Sequence, residues 1–349
     1  MSWEENVRRV VPYVAGEQPT QKNIIKLNTN ESPYPPAPGV QEQAEHFLSE
    51  NLKLYPDMDA TELVNSLAEY YQVEPDQIFV GVGSDDVLAL AFLTFFNSDQ
   101  PILFPNLTYS FYDVWADLYR IPYKTCELDA DFHIRKEDYM QKNGGIIFPN
   151  PNAPTGVLES VSMIEDMIKA NPGVVVIIDE AYIDFGGESC LPLLDQYDNL
   201  LVVQTFSKSR AMAGLRIGFA IGNPKMIQYL KDAKFSTNSY TMNLPALKLG
   251  VEAVKDEKYF HEMVHKIIDT RERAKAEMAK LGFSFTDSQS NFLFVTHKTK
   301  SAKEIYEGLK ERNIYVRYWD KPILNNRLRI TIGTDAQMDV VFAALKEIL

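Results

Sequence analysis

Lys208 follows the apolar run Leu200 to Thr205 with Ser207 beside it, and Gly214-Leu215-Arg216 comes within the next eight residues. Upstream, Asp179-Glu180-Ala181-Tyr182 closes a second apolar run, Val174 to Ile178. A lysine amine can form a Schiff base with an aldehyde, and a carboxylate can hold an aromatic ring nitrogen protonated. An arginine with nearby hydroxyls can grip a phosphate.

Four loops carry these groups. Gly81-Val82-Gly83-Ser84-Asp85-Asp86 joins a strand to a helix, so its backbone N–H groups and the Ser84 hydroxyl can receive a phosphate. Asp86 stands where a dinucleotide fingerprint needs its third glycine, and a plain glycine turn with a Ser or Asp helix cap is the alternative. Pro149-Asn150-Pro151-Asn152-Ala153-Pro154-Thr155-Gly156 pairs stiff prolines with amides, which suits a rigid wall or an ordinary turn. Asp179, if buried, needs a cationic partner, and a protonated pyridinium is one; a helix cap is the alternative. A lone lysine after a strand is usually a solvated charge. Lys208, however, shares one short segment with Thr205, Ser207, Arg210 and Arg216, and Gly214 is expected to allow close backbone approach. Aldehyde, ring nitrogen and phosphate together describe pyridoxal phosphate.

The elements that must position these groups alternate. Ile78 to Val80, Pro101 to Phe104, Gly145 to Phe148, Val174 to Asp179, Leu200 to Thr205 and Ile217 to Ile221 read as strands, most of them apolar on both faces. Asp85 to Phe96 and Val161 to Ala170 read as helices between them. The expectation is α/β: a large domain with a mostly parallel sheet covered by helices, over residues 51–255. Beyond about residue 255 come a long charged helix near 258–281 and strands at Asn291 to Val295, Ile314 to Arg317 and Leu328 to Ile332. A helix near 302–312 and a closing helix complete that region. With residues 1–50, residues 256–349 are read as an N-terminal arm and a smaller α+β domain, the arm being extended around Pro33, Pro35, Pro36 and Pro38.

Composition narrows the partners. A formal net charge of -13 argues against nucleic acid, whose phosphates need a basic surface, but not against small anions held by a few arginines. No apolar run approaches membrane-spanning length, and the acidic start Met1-Ser2-Trp3-Glu4-Glu5 does not read as a signal peptide. Two cysteines, Cys126 and Cys190, are too few for a disulfide framework, so a cytoplasmic location is expected.

Asp179-Glu180-Ala181-Tyr182, Thr205-Phe206-Ser207-Lys208 and Ala213 to Phe219 resemble the motifs of fold-type I pyridoxal phosphate aminotransferases. More narrowly, Pro12-Tyr13, Leu27 to Tyr34, Leu54 to Asp57, Gly83-Ser84-Asp85 and Leu328 to Thr334 are similar to the histidinol-phosphate aminotransferase branch of that family. The resemblance implies Lys208 as the catalytic lysine, Asp179 on the pyridine nitrogen and Tyr182 on the ring oxygen. It implies Tyr109 stacked on the ring, and Gly83, Ser84, Asp85, Thr205, Ser207 and Arg216 around the phosphate. Tyr55 is implied to reach the neighbouring subunit's cofactor, which makes a homodimer with shared sites part of the expectation. Tyr13, Asn30, Arg317 and Arg329 are implied on the substrate side, with a phosphorylated amine and a 2-oxo acid such as 2-oxoglutarate as substrates in a ping-pong cycle of histidine biosynthesis. The family commonly has asparagine where this chain has Ala153, and Asn152 is the neighbouring candidate to replace it.

Threonine-phosphate decarboxylases and aromatic aminotransferases share most of these motifs, so either activity is the alternative within the fold. From another class, His261-Glu262-Met263-Val264-His265 matches the H-E-x-x-H pattern of zinc hydrolases, although a solvated face of a charged helix explains it without metal. The expectation is no metal.

Overall fold

The computed structural model describes residues 2–349. In chain order its elements begin with β1 (Ile25–Leu27), α1 (Pro38–Glu45), α2 (Thr61–Tyr71), β2 (Ile78–Gly81), α3 (Gly83–Phe95), β3 (Ile102–Pro105) and α4 (Tyr112–Tyr119). Next come β4 (Tyr123–Cys126), β5 (Ile146–Pro149), α5 (Val161–Ala170), β6 (Val176–Asp179), β7 (Leu200–Thr205), β8 (Gly218–Gly222), α6 (Pro224–Thr237) and α7 (Leu244–Lys255). The chain continues through α8 (Glu257–Lys280), β9 (Phe283–Phe285), β10 (Phe292–His297), α9 (Ala302–Glu311), β11 (Ile314–Tyr318), β12 (Leu328–Thr331) and α10 (Asp335–Ile348).

Seven strands form the larger sheet in the order β2-β8-β7-β6-β5-β3-β4. Neighbours from β4 to β7 run parallel, and β8 runs antiparallel to both β7 and β2. The α/β class expected from the apolar runs is therefore present. Residues along β6 show why those runs are apolar on both faces. Ile177 packs into the cluster of Phe79, Phe92 and Phe104, whereas Val176 and Ile178 pack on the other side with Met167, Phe148 and Leu200. A strand buried on two faces has no solvent-facing position left to be polar.

The smaller sheet has the order β1-β11-β12-β10-β9, and only the β1–β11 pair is parallel. Its core joins Phe292, Leu293, Ile330 and Val341 to Tyr182 and Phe185 of the loop after β6. Arg271 of α8, 2% exposed, ties the two halves by donating to the carbonyls of Phe185 and Ser290 at 2.7 and 3.0 Å.

One local expectation differs from the structure. The arm is not extended throughout, because α1 begins at Pro38, where a proline in the first turn forfeits no intrahelical hydrogen bond. At Gly214 a Cβ would meet no protein atom within 4 Å, so the space beside it is open. The close contact lies at Gly218, where a Cβ would stand 2.2 Å from the Gly83 carbonyl carbon and the Ser84 nitrogen.

Candidate active site

The larger sheet delivers its chemistry at one edge, where β5, β6 and β7 end in Pro149, Asp179 and Thr205. Ligands of open α/β sheets usually bind outside the carboxyl ends of parallel strands. Asp179 is 4% exposed. Its carboxylate accepts from the Tyr112 hydroxyl at 3.1 Å and from the Ala181 N–H at 3.2 Å. Burial raises its pKa to about 6, against the lowering by those two donors and by Lys208. A buried carboxylate left this basic is one that a cationic ring nitrogen would suit.

Beside it, β8 presses on the start of α3. Gly83 has φ +82, a left-handed conformation natural to glycine, and a Cβ there would meet the Arg216 guanidinium at 2.5 Å. Arg216 donates to Asp85 Oδ2 at 2.9 Å and to Ser207 Oγ at 3.3 Å, while Tyr109 donates its hydroxyl to Asp85 Oδ1 at 2.6 Å. The Asp85 side chain thus braces Tyr109 and Arg216. First-turn N–H groups of a helix lack intrahelical partners, so this corner combines free backbone donors, a guanidinium and hydroxyls. Residues from α3, the loop after β7 and β8 therefore fit a phosphate, and with Asp179 they fit pyridoxal phosphate.

A cavity of about 650 Å³ opens in front of Lys208, and Tyr109, Tyr182, Asn30, Tyr13, Arg317 and Arg329 all line it. Lys208 Nζ donates to the Thr29 carbonyl at 3.3 Å and lies 5.8 Å from the centre of the Tyr182 ring. The Tyr182 hydroxyl accepts from Asn30 Nδ2 at 2.8 Å, and Asn30 is itself held through its N–H and Oδ1 by Thr331 Oγ1. Arg317 and Arg329 face each other across β11 and β12. Among the described residues their hydrogen bonds go only to backbone carbonyls: Arg317 to Val14 and Ala15, Arg329 to Asn28. Burial lowers the pKa of Arg329, and its Nε has no partner. Two guanidiniums without a carboxylate are ready for an anion.

Asn152 and Thr205 have their side-chain hydrogen bonds engaged within the chain, and Tyr55, expected in a neighbouring subunit's site, lies apart from them. The Asn152 amide turns into its own loop, donating to the Leu107 carbonyl and Thr155 Oγ1 and accepting from Thr108 Oγ1, while Ala153 and Pro154 face the cavity. Asn152 is thus occupied in holding the loop. Thr205 Oγ1 donates to the Ile217 carbonyl and accepts from the Ser207 N–H, so it shapes the turn that presents Lys208. Tyr55 is 81% exposed and stacks on Tyr240 at 4.6 Å, outside the cavity of its own chain. His261 and His265 are exposed on α8, and His265 Nδ1 meets the His261 carbonyl at 2.6 Å. Among the described residues no group of three or more metal-ligating side chains is assembled.

Sequence reasoning missed Tyr112, which holds Asp179, and Trp319, which lines the cavity beside both arginines. No local sign marked Tyr112, whose contact with Asp179 joins residues 67 positions apart.

Known proteins share both the sequence and the shape. The chain is 52% identical to a histidinol-phosphate aminotransferase of Lactococcus lactis subsp. cremoris (strain MG1363) over 100% of its own length and 98% of the relative's. It is 48% identical to one of Clostridium beijerinckii, covering 99% of this chain and 97% of that protein. In fold it is similar to the histidinol-phosphate aminotransferase of Sinorhizobium meliloti in complex with pyridoxal-5'-phosphate, with a TM-score of 0.84 at 24% identity, covering 93% and 90% of the two chains. The model of aminotransferase class I and II matches residues 22–345. With a lysine, a buried carboxylate and a phosphate corner meeting at the strand ends, the chain belongs to the aminotransferase class I and II family.

Proposed function

We propose that this pyridoxal phosphate-dependent transaminase moves an amino group between histidinol phosphate and 2-oxoglutarate, with imidazole acetol phosphate and glutamate as the other pair, as a step of histidine biosynthesis. The observation that carries the substrate assignment is the pair Arg317 and Arg329, unpaired with any carboxylate and lining one cavity with Lys208. A phosphate monoester and a dicarboxylate both present anions to such a pair, which lets one site accept both substrates in turn. The names of relatives near half identity point the same way.

When bound, pyridoxal phosphate supplies an aldehyde for amine capture and a protonated ring that accepts electrons from the substrate Cα. Asp179 holds the ring-nitrogen proton, and Tyr112 holds Asp179. Arg216, Ser207, Ser84 and the first turn of α3 grip the phosphate. Lys208 would hold the cofactor through its aldehyde carbon, and its amine is the group placed to move the proton at the substrate Cα. Tyr182, accepting from Asn30, keeps its own proton to donate to the ring oxygen. Tyr109 forms the aromatic wall.

The exposed Leu48, Leu52, Leu54 and Tyr55 form an apolar stretch, which supports a homodimer in which Tyr55 reaches the partner's cofactor phosphate. The two free cysteines suit a reducing cytoplasm.

Borohydride reduction followed by peptide mapping is expected to place the cofactor's mass on Lys208, with none retained by Lys208→Ala. Retention of the mass by that variant would remove Lys208 from its role. Carbon dioxide released from threonine phosphate, without amino transfer from histidinol phosphate, would replace the substrate assignment by the decarboxylase reading.

A further inference from the structure

Like charges set directly opposite on neighbouring strands repel, and Arg317 and Arg329 are such a pair. Asp113, Asp117 and Asp320 line the same cavity, yet none makes an ion pair with either guanidinium. What the two do share is Trp319. Its indole lies 5.1 Å from the Arg317 guanidinium carbon and 5.4 Å from that of Arg329. Trp319 is the first residue past the end of β11, and from there its ring reaches the guanidiniums of both facing strands. An aromatic face attracts guanidinium groups through its quadrupole and fixes their planes by stacking, without adding the negative charge that would compete with a substrate anion. Phe292 lies 5.4 Å from the Arg329 guanidinium carbon, leaving that group between two aromatic rings.

We propose that Trp319 is a positioning and specificity-determining residue: it holds the guanidiniums of Arg317 and Arg329 together so that one doubly charged phosphate can engage both. This rests on the histidinol phosphate reading above. Each carboxylate of glutamate carries one charge and is satisfied by one bidentate arginine wherever that arginine sits, whereas a single phosphate dianion engages two only if they are held together. Trp319 therefore matters more for the phosphorylated amine than for glutamate.

In the holoenzyme, Trp319→Leu is expected to raise KM for histidinol phosphate about tenfold, while KM for glutamate rises less than about threefold and kcat stays within about twofold. Trp319→Phe keeps an aromatic face and is expected to return KM for histidinol phosphate to within about threefold of the parent. Equal increases for both donors, or no recovery with phenylalanine, would overturn the proposal, since a merely structural tryptophan gives those results. Should the parent protein not use histidinol phosphate at all, the substrate reading fails and Trp319 is still decided by inhibition with inorganic phosphate against glutamate. There the inhibition constant must rise about tenfold in Trp319→Leu, and an unchanged constant rejects the role.

Discussion

A carboxyl group at the inner end of an apolar strand is in its least comfortable state when ionised without a cation nearby. Asp179 illustrates the pH consequence. Its pKa is about 6 in the fold against an ordinary 3.8, so the protonated form is favoured on folding. The associated stability is fully present below pH 3.8 and is lost as pH rises through about 6, a change on the order of 3 kcal/mol. Asp179→Asn removes that slope. Urea unfolding of the cofactor-free proteins at pH 4 and pH 8 should show the variant losing roughly 2–3 kcal/mol less than the parent between the two. In the holoenzyme the same change should lower kcat at least ~100-fold, because the ring nitrogen loses its anionic partner. Parallel slopes for the two proteins would mean that Asp179 ionises as readily in the fold as in the unfolded chain. The place of this aspartate was legible in sequence, since an acid ending an apolar strand stands out. Its holder Tyr112 was not, because the contact joins residues far apart in the chain, and no local pattern encodes it.

Among elements, the contact between β8 and the start of α3 fixes the phosphate corner. Gly218→Ala would drive a methyl into the Gly83 and Ser84 backbone, so we expect a stability loss of roughly 2–4 kcal/mol and weaker cofactor retention. Gly214→Ala, with open space around its Cβ, should change stability by no more than about 1 kcal/mol. Thermal unfolding and cofactor absorbance of the two variants check the contrast, and equal effects would contradict the packing described. Apolar runs revealed β2, β3, β5, β6, β7 and β8 because burial on both faces leaves a continuous signal. The edge strand β4 gave none: Tyr123, Lys124 and Thr125 are exposed, and beyond its backbone ladder it meets β3 through a stack of Tyr123 on Phe104 that no local pattern announces. The starts of α6 and α7 carried a readable sign that the sequence reading passed over, an asparagine cap followed by proline in the first turn.

For the whole molecule, a homodimer with shared sites makes a distinctive prediction. Tyr55→Ala and Lys208→Ala should each be nearly inactive, but unfolding and refolding them together should recover about a quarter of the parent activity. Half of the random dimers are mixed, and each of these holds one intact site of two. No recovery would place Tyr55 outside the partner's site. Its exposure and distance from its own cavity are visible only in the folded chain, since sequence gives an aromatic residue's type and not what it faces. The molecule's connectivity also sets an order in time. β1 lies at residues 25–27 but pairs with β11 at 314–318, and Asn30 and Asn28 take hydrogen bonds from, or give them to, the late residues Thr331 and Arg329. During synthesis the early strand must wait on the order of tens of seconds for its partner. The larger sheet can assemble in that interval, and the substrate cavity is completed last. A nascent chain stalled before about residue 314 would carry the phosphate corner and Lys208 but have no seat for the substrate's anion.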